Sequence, residues 1–134
     1  MKEKSDIQLR SITIEKSTFV RGELPMERRD FNMNLSTFNE VKGNRIYVFV
    51  NVVLEIAEFP DFRMDITMLG NFEKQGEIKV SLEDFCNINA PAIIFPYVRQ
   101  YIRNLSMDAG LNPIMLPVIN FVGRYNIMKE KKNL

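Results

Sequence analysis

From Ile7 the chain alternates apolar and polar residues, Ile7-x-Leu9, then resumes the alternation one residue out of phase as Ile12-x-Ile14. A slip near Arg10 and Ser11 flips which face of a strand is apolar, and a β-bulge is its usual cause. Phe19 and Val20 continue this first strand. Arg21 to Arg29, with Gly22 and Pro25, reads as a connection. A second strand is expected near 29–38, with Phe31, Met33 and Leu35 on one side and Asn32, Asn34 and Ser36 on the other. Lys42-Gly43-Asn44 turns the chain into a third strand over 45–57. There Ile46, Val48, Val50, Val52, Leu54 and Ile56 form an unbroken aliphatic face. The opposite face of that strand is mixed (Tyr47, Phe49, Asn51, Val53), as expected of a central strand covered on both sides. Pro60 ends the segment. A fourth strand, 61–73, sets Phe62, Met64, Ile66 and Met68 against Arg63, Asp65 and Thr67.

The period then changes. Residues 74–88 read as a polar linker in which Ser81 caps a short helical turn. Asn89 is placed to cap a long helix with Pro91 in its first turn, where a missing N–H costs nothing. Ile94, Val98, Tyr101, Ile102 and Leu105 recur at helical spacing, and Pro96 is expected to kink the helix because its ring clashes with the preceding turn. Gly110 supplies a left-handed stop, followed by Pro113. An extended apolar return over 111–119 leads to Asn120, which caps a last helix carrying Phe121, Val122, Tyr125 and Met128. Strands followed by helices imply an α+β fold: a four-stranded antiparallel sheet followed by a long and a short helix. The 134 residues form one domain, 1–134, with 1–6 and 129–134 expected to be flexible.

One long and one short helix cover roughly one face of such a sheet, and the strands carry more apolar surface than that hides. The stripes of the second and fourth strands must be buried by self-association or by other chains lying in a groove. Met33, Met64, Met68 and Met115 fit either a core, as gap-fillers, or an adaptable binding surface. A small-ligand pocket in an α+β domain is a further reading of the same residues.

Charge and composition narrow the choices. A net charge of +1 gives no electrostatic case for nucleic acid or an anionic membrane. No apolar run reaches the roughly 18 residues a membrane span needs. The start, MKEKSDIQLR, has no apolar core of a secretory signal, so a cytoplasmic location is expected, and the single Cys86 fits a reducing compartment. With no histidine and one cysteine, Ser-His-Asp and Cys-His catalysis, His-ligated metals and Cys-cluster zinc are ruled out. The six glycines form no phosphate-binding loop, so no nucleotide is expected; carboxylates alone can do acid/base work, but no pair announces itself, and the chain is expected to be a non-enzyme without a cofactor.

Residues 89–105, NAPAIIFPYVRQYIRNL, followed by LPVINF, carry a family resemblance. Ala90, Pro91, Ile94, Phe95, Pro96, Tyr97 and Arg99, then Pro117, Val118, Asn120 and Phe121, are similar to the signature of the bacterial export chaperone SecB, with Ile119 as one extra residue. IQLRSITIEKSTF resembles that family's first strand. The resemblance implies a homotetramer, a dimer of dimers in which long helices and sheet edges meet. Apolar grooves there hold unfolded polypeptide clients without ATP. It places Phe19, Phe31, Met33, Leu35, Phe62, Met64, Ile66, Met68, Leu116 and Phe121 toward the client. Tyr101, Ile102 and Leu105 fall under the helix or between dimers. Docking to the translocase motor SecA would use an acidic sheet face and a basic tail, here Asp65, Lys131 and Lys132. Lys16, Val20 and Arg63 depart from that acidic pattern, which leaves two chaperone readings: one serving protein export, the other dedicated to one partner such as an antitoxin.

Overall fold

The computed structural model describes residues 6–27, 30–78 and 80–132. Four antiparallel strands, β1 (Ile7–Val20), β2 (Asn32–Lys42), β3 (Arg45–Glu55) and β4 (Arg63–Lys74), form one sheet in the order β1-β4-β3-β2. The expected bulge exists: the β1–β4 register shifts between Leu9 and Ser11, and again between Ile14 and Lys16. The second shift brings Phe19 back into line with Met64, so both ends of a long strand present apolar residues to the same face.

β1 and β2 lie at opposite edges, so the connection between them spans the whole sheet. Leu24 anchors it in the core. Arg21 clamps it, donating through Nη1 to the Ala109 carbonyl at 2.6 Å and through Nε to the Leu24 carbonyl at 3.2 Å. The second strand begins at Asn32, later than its alternation suggests, and continues to Lys42. Arg28 and Arg29 lie outside the described residues.

Helical structure begins earlier than the Asn89 cap implied. Ser81 Oγ accepts from the Asp84 amide at 3.3 Å and opens a single turn, α1 (Leu82–Asp84). A π-helical turn, Phe85–Asn89, joins it to α2 (Ala90–Asp108), and Asn89 makes no side-chain cap. The wider turn, in which the Ala90 amide bonds the Phe85 carbonyl, eases the clash of the Pro91 ring with the turn before it. α2 runs through Pro96 without interruption. Both Pro96 and Ala92 are exposed, so the carbonyl that loses its partner faces water. At the far end Gly110 adopts φ +78°, and the amides of Gly110 and Leu111 bond the Met107 and Ser106 carbonyls, closing a Schellman turn.

The return segment, residues 111–120, has no regular structure. Its Ile114 amide donates to Ser106 Oγ at 3.0 Å, and Ser106 in turn donates to the Arg103 carbonyl. Asn120 Oδ1 accepts from the Gly123 amide at 3.0 Å and caps α3 (Phe121–Lys132), which extends into residues expected to be loose. Residues 1–5 and 133–134 of the expected flexible ends lie outside the described residues.

All the helices pack on one face of the sheet. That face consists of Ile46, Val48, Val50, Val52 and Leu54 of β3 with Met64, Ile66, Met68 and Phe72 of β4, all buried. Gly70 lies directly beneath the helix: a Cβ there would meet Ile94 Cδ1 at 2.6 Å, so glycine sets how closely α2 approaches. Among the described residues no helix covers the other face of β3, and Tyr47, Phe49, Asn51 and Val53 remain partly exposed. A central strand sealed on both sides was the expectation. Only one side is sealed, because both helices occupy the same layer.

Candidate functional site

The residues expected to face a client divide into two groups. Phe62, Met64, Ile66 and Met68 are a correction: they are core, with Met64 and Ile66 at 0% exposure under α2. Alternation along β4 was read correctly, but its apolar side is the side the helix covers. Phe62 packs edge-on against Phe19 with ring centroids 6.0 Å apart. Leu116 and Phe121 are also buried, Phe121 edge-on to Phe95 at 5.8 Å. Phe19, Phe31, Met33 and Leu35 keep part of their surface while resting on the core.

Open apolar surface lies instead along the return segment and α3. Ile114 and Leu116 point inward while Met115 (60% exposed) and Val118 (86%) point out, and Val122 follows on the helix. The alternating apolar residues of LNPIMLPVIN carried this signal, but their inward and outward members are distinguishable only once α2 is in place. Arg124 fixes α3 against β2, donating through Nη2 to the Leu35 carbonyl at 3.1 Å and through Nη1 to Thr37 Oγ1 at 3.3 Å. Burial pushes its pKa down. Tyr125 is buried one position on, its hydroxyl enclosed without a well-formed hydrogen bond. Donation toward the Glu83 carboxylate, then burial, then the charges of Glu83 and Asp84 push its pKa up to about 12.

A second apolar surface follows the free edge of β1. Ile12, Ile14, Met68, Tyr97 and Tyr101 line an open cleft of about 250 Å³ between that strand and α2. Ser17 and Tyr101 share a 2.7 Å hydrogen bond between their hydroxyls, tying helix to edge. Of the expected interface residues, Tyr101 lines this cleft, and Leu105, also half-buried, rests against the core. Ile102, fully buried, belongs to the core under the helix.

The uncovered sheet face is electrostatically closed. Asp65 accepts from Lys16 Nζ at 2.7 Å and from Asn51 Nδ2 at 2.8 Å, with Arg63 at 3.6 Å. Burial alone would raise the Asp65 pKa. The hydrogen bonds from Lys16 and Asn51 and the charges of Lys16 and Arg63 outweigh it and hold the carboxyl below its ordinary value. Glu55, Glu73 and Glu40 are paired likewise with Arg63, Arg10 and Lys42. Lys131 and Lys132 are exposed at the end of α3, and among the described residues no carboxylate pairs with them. The buried Cys86 thiol has its pKa raised by desolvation, which suppresses the reactive thiolate. Among the described residues no cluster of three or more His, Cys, Asp or Glu could hold a metal, and no helix is long and apolar enough to cross a membrane.

A crossover-linked antiparallel sheet, with a long helix and a short one on a single face, defines a SecB-like α+β fold. The sequence profile of the family described as preprotein translocase subunit SecB matches residues 6–132, and the chain belongs to that family. It is 30% identical over 105 residues to the protein-export protein SecB of Dechloromonas aromatica, covering 76% of this chain and 69% of that one. It is 28% identical over 123 residues to an uncharacterized protein of Methanocaldococcus jannaschii, covering 85% and 79% of the two chains. The fold matches the Mycobacterium tuberculosis Rv1957 SecB-like chaperone, solved with a ChAD peptide of the HigA1 antitoxin. That match has a TM-score of 0.66 and 16% identity, over 85% of this chain and 88% of that one.

Proposed function

We propose that this chain is an ATP-independent chaperone that holds unfolded polypeptide in an apolar groove between β2 and the return segment with α3, as a homotetramer. The observation that carries the reading is the strip of outward apolar residues, Met115, Val118 and Val122, on the elements that Arg124 ties to the half-buried Leu35 of β2. Phe31 and Met33 extend the strip along β2, and Leu116 and Phe121 support it from beneath, while Phe19, on β1 at the opposite edge of the sheet, stands apart from it. A client covering roughly 400 Å² of apolar surface there gains about 10 kcal/mol before ordering costs, at about 25 cal/mol per Å². Binding the unfolded state alone holds a client back from folding and aggregation by mass action, with no nucleotide. The cleft between β1 and α2, with Tyr101 in its lining, is the surface assigned to subunit contacts.

The test is aggregation of a chemically unfolded client, followed by light scattering without nucleotide. Suppression at one tetramer per client supports the reading, and an unchanged rate removes it. A role in export through SecA is the broader form of the proposal, with Asp65, Lys131 and Lys132 as docking residues. The pairing of Asp65 with Lys16 and Arg63 favours the narrower form, a chaperone dedicated to one partner, because it leaves that face little free negative charge. The Rv1957 protein was solved with an antitoxin peptide, an occupant of the kind this form requires. Poor activity on generic clients, with tight binding to a neighbour-encoded protein, would select it.

A further inference from the structure

Arg124 differs from the arginines of the sheet face in what it is paired with. Arg10, Arg45 and Arg63 each sit on a carboxylate. Arg124 bonds only the Leu35 carbonyl and Thr37 Oγ1, both neutral, and among the described residues no carboxylate lies within ion-pair distance of it. Its guanidinium is partly withdrawn from water. A desolvated cation without a counter-charge is costly, and the cost is removed if an anion is brought to it. The surroundings say what could bring one. β2 is an edge strand, with outward backbone groups that β3 does not use, and an extended chain can pair with them. Met33 and Leu35, two residues apart and on one face, lie half-buried along that edge.

We propose that Arg124 is a specificity-determining contact of the groove, taking the carboxylate of an acidic side chain in an extended, otherwise apolar segment laid along the free edge of β2. This rests on the chaperone reading and names the client chemistry that reading leaves open. The planar fork of a guanidinium matches a carboxylate, and three of its five N–H donors are not used by the two bonds it makes. The Leu35 carbonyl accepts two hydrogen bonds, so it can keep Arg124 and still pair with a client amide. With the acid beside Thr37, alternation in the client then sets apolar residues two and four positions to one side of it on the same face, where Leu35 and Met33 lie.

The experiment uses the full-length assembly as purified and a fluorescein-labelled, capped peptide of Thr, Val and Phe with one central aspartate, beside its asparagine twin. Anisotropy titrations compare wild type, Arg124→Gln and Arg124→Lys. Wild type is expected to bind the aspartate peptide about tenfold tighter, the scale of one charge-assisted hydrogen bond, with the gap narrowing at high salt. Arg124→Gln should lose the preference and bind the two peptides alike, and Arg124→Lys should keep part of it. Equal affinities in wild type, or the same preference in Arg124→Gln, overturn the proposal. So does an equal loss of affinity for both peptides in Arg124→Gln with reduced helicity, which would leave Arg124 only its bracing of α3 against β2. A change of solution mass in that variant overturns it as well, by giving the carboxylate to a second copy of the chain. A wild type that binds neither peptide and fails to suppress aggregation removes the chaperone reading itself. Suppression with equal peptide affinities removes only the role of Arg124.

Discussion

Replacing Ile66 decides between core and groove, because the residue was expected to face a client and the structure places it under α2. It stands between Ser17 of β1 and Val52 of β3, with no surface exposed. Ile66→Ala removes three buried carbons and leaves a cavity that β4, held on both sides, cannot collapse, at a cost of about 3 kcal/mol. Against a stability of roughly 5–15 kcal/mol, the variant stays folded but melts some 10 °C lower, at about 3 °C per kcal/mol for a chain of this length. Ile66→Asp puts an unpaired carboxylate into the same place and should abolish folding. The control is Val118→Asp, whose side chain is 86% exposed and whose cost should stay within about 0.5 kcal/mol. Urea denaturation followed by far-UV circular dichroism, at one fixed subunit concentration, measures all three. Should Ile66→Ala unfold at the wild-type midpoint while client binding is lost, α2 does not cover this face and the groove belongs on β4 after all.

Ser106→Ala should cost about 1–2 kcal/mol in the same urea assay, because it strands the buried Ile114 amide and releases the return segment from α2. Gly70→Val, which drives a side chain into Ile94, should cost about 2–3 kcal/mol in the same measurement, and a neutral result would mean the helix stands off the sheet. Asp65 carries a pH signature. Its folded pKa lies below the ordinary value of 3.8, so its contribution is present above that value and is lost as pH falls through it toward the folded one. Asp65→Asn should therefore lose roughly 1 kcal/mol at pH 7 and flatten the decline in urea midpoint below about pH 4, relative to wild type.

Period-2 and period-3.6 patterns located the four described strands and the long and the short helix, because burial on one face writes itself into the order of residues. The slip at Arg10 and Ser11 announced its bulge for the same reason. Three features were not legible. The turn capped by Ser81 was read, but not that it runs on into the long helix: Pro91, read as a start signal, is absorbed by a π turn, and proline alone does not distinguish the two. Leu24 sits in a loop with no periodicity to mark it, although it pins the crossover. Arg124 is one cation among several in a basic helix, and only the fold brings it to the edge of β2, 89 positions from Leu35.

The apolar surplus read from the strands exists, but it is held elsewhere in the molecule. The β4 stripe is consumed inside the protomer by α2, so it is unavailable to guests or sister subunits. What remains open is divided between two flanks of different character. Along β1 and α2, Leu9, Ile14 and Tyr97 accompany a strand edge pinned to the helix by Tyr101, a rigid surface suited to a fixed partner. Along the return segment, Met115 and Val118 stand on backbone with no regular hydrogen bonding, which can shift to fit varied occupants. Under the proposed function, that difference in rigidity would give the first flank a permanent subunit contact and the second the exchangeable clients. If so, Ile14→Asp should break a tetramer of about 63 kDa, four times 15.7 kDa, into smaller species by light scattering. Val118→Asp should leave the mass unchanged and weaken only client binding. The reverse assignment of the two phenotypes would exchange the roles of the flanks.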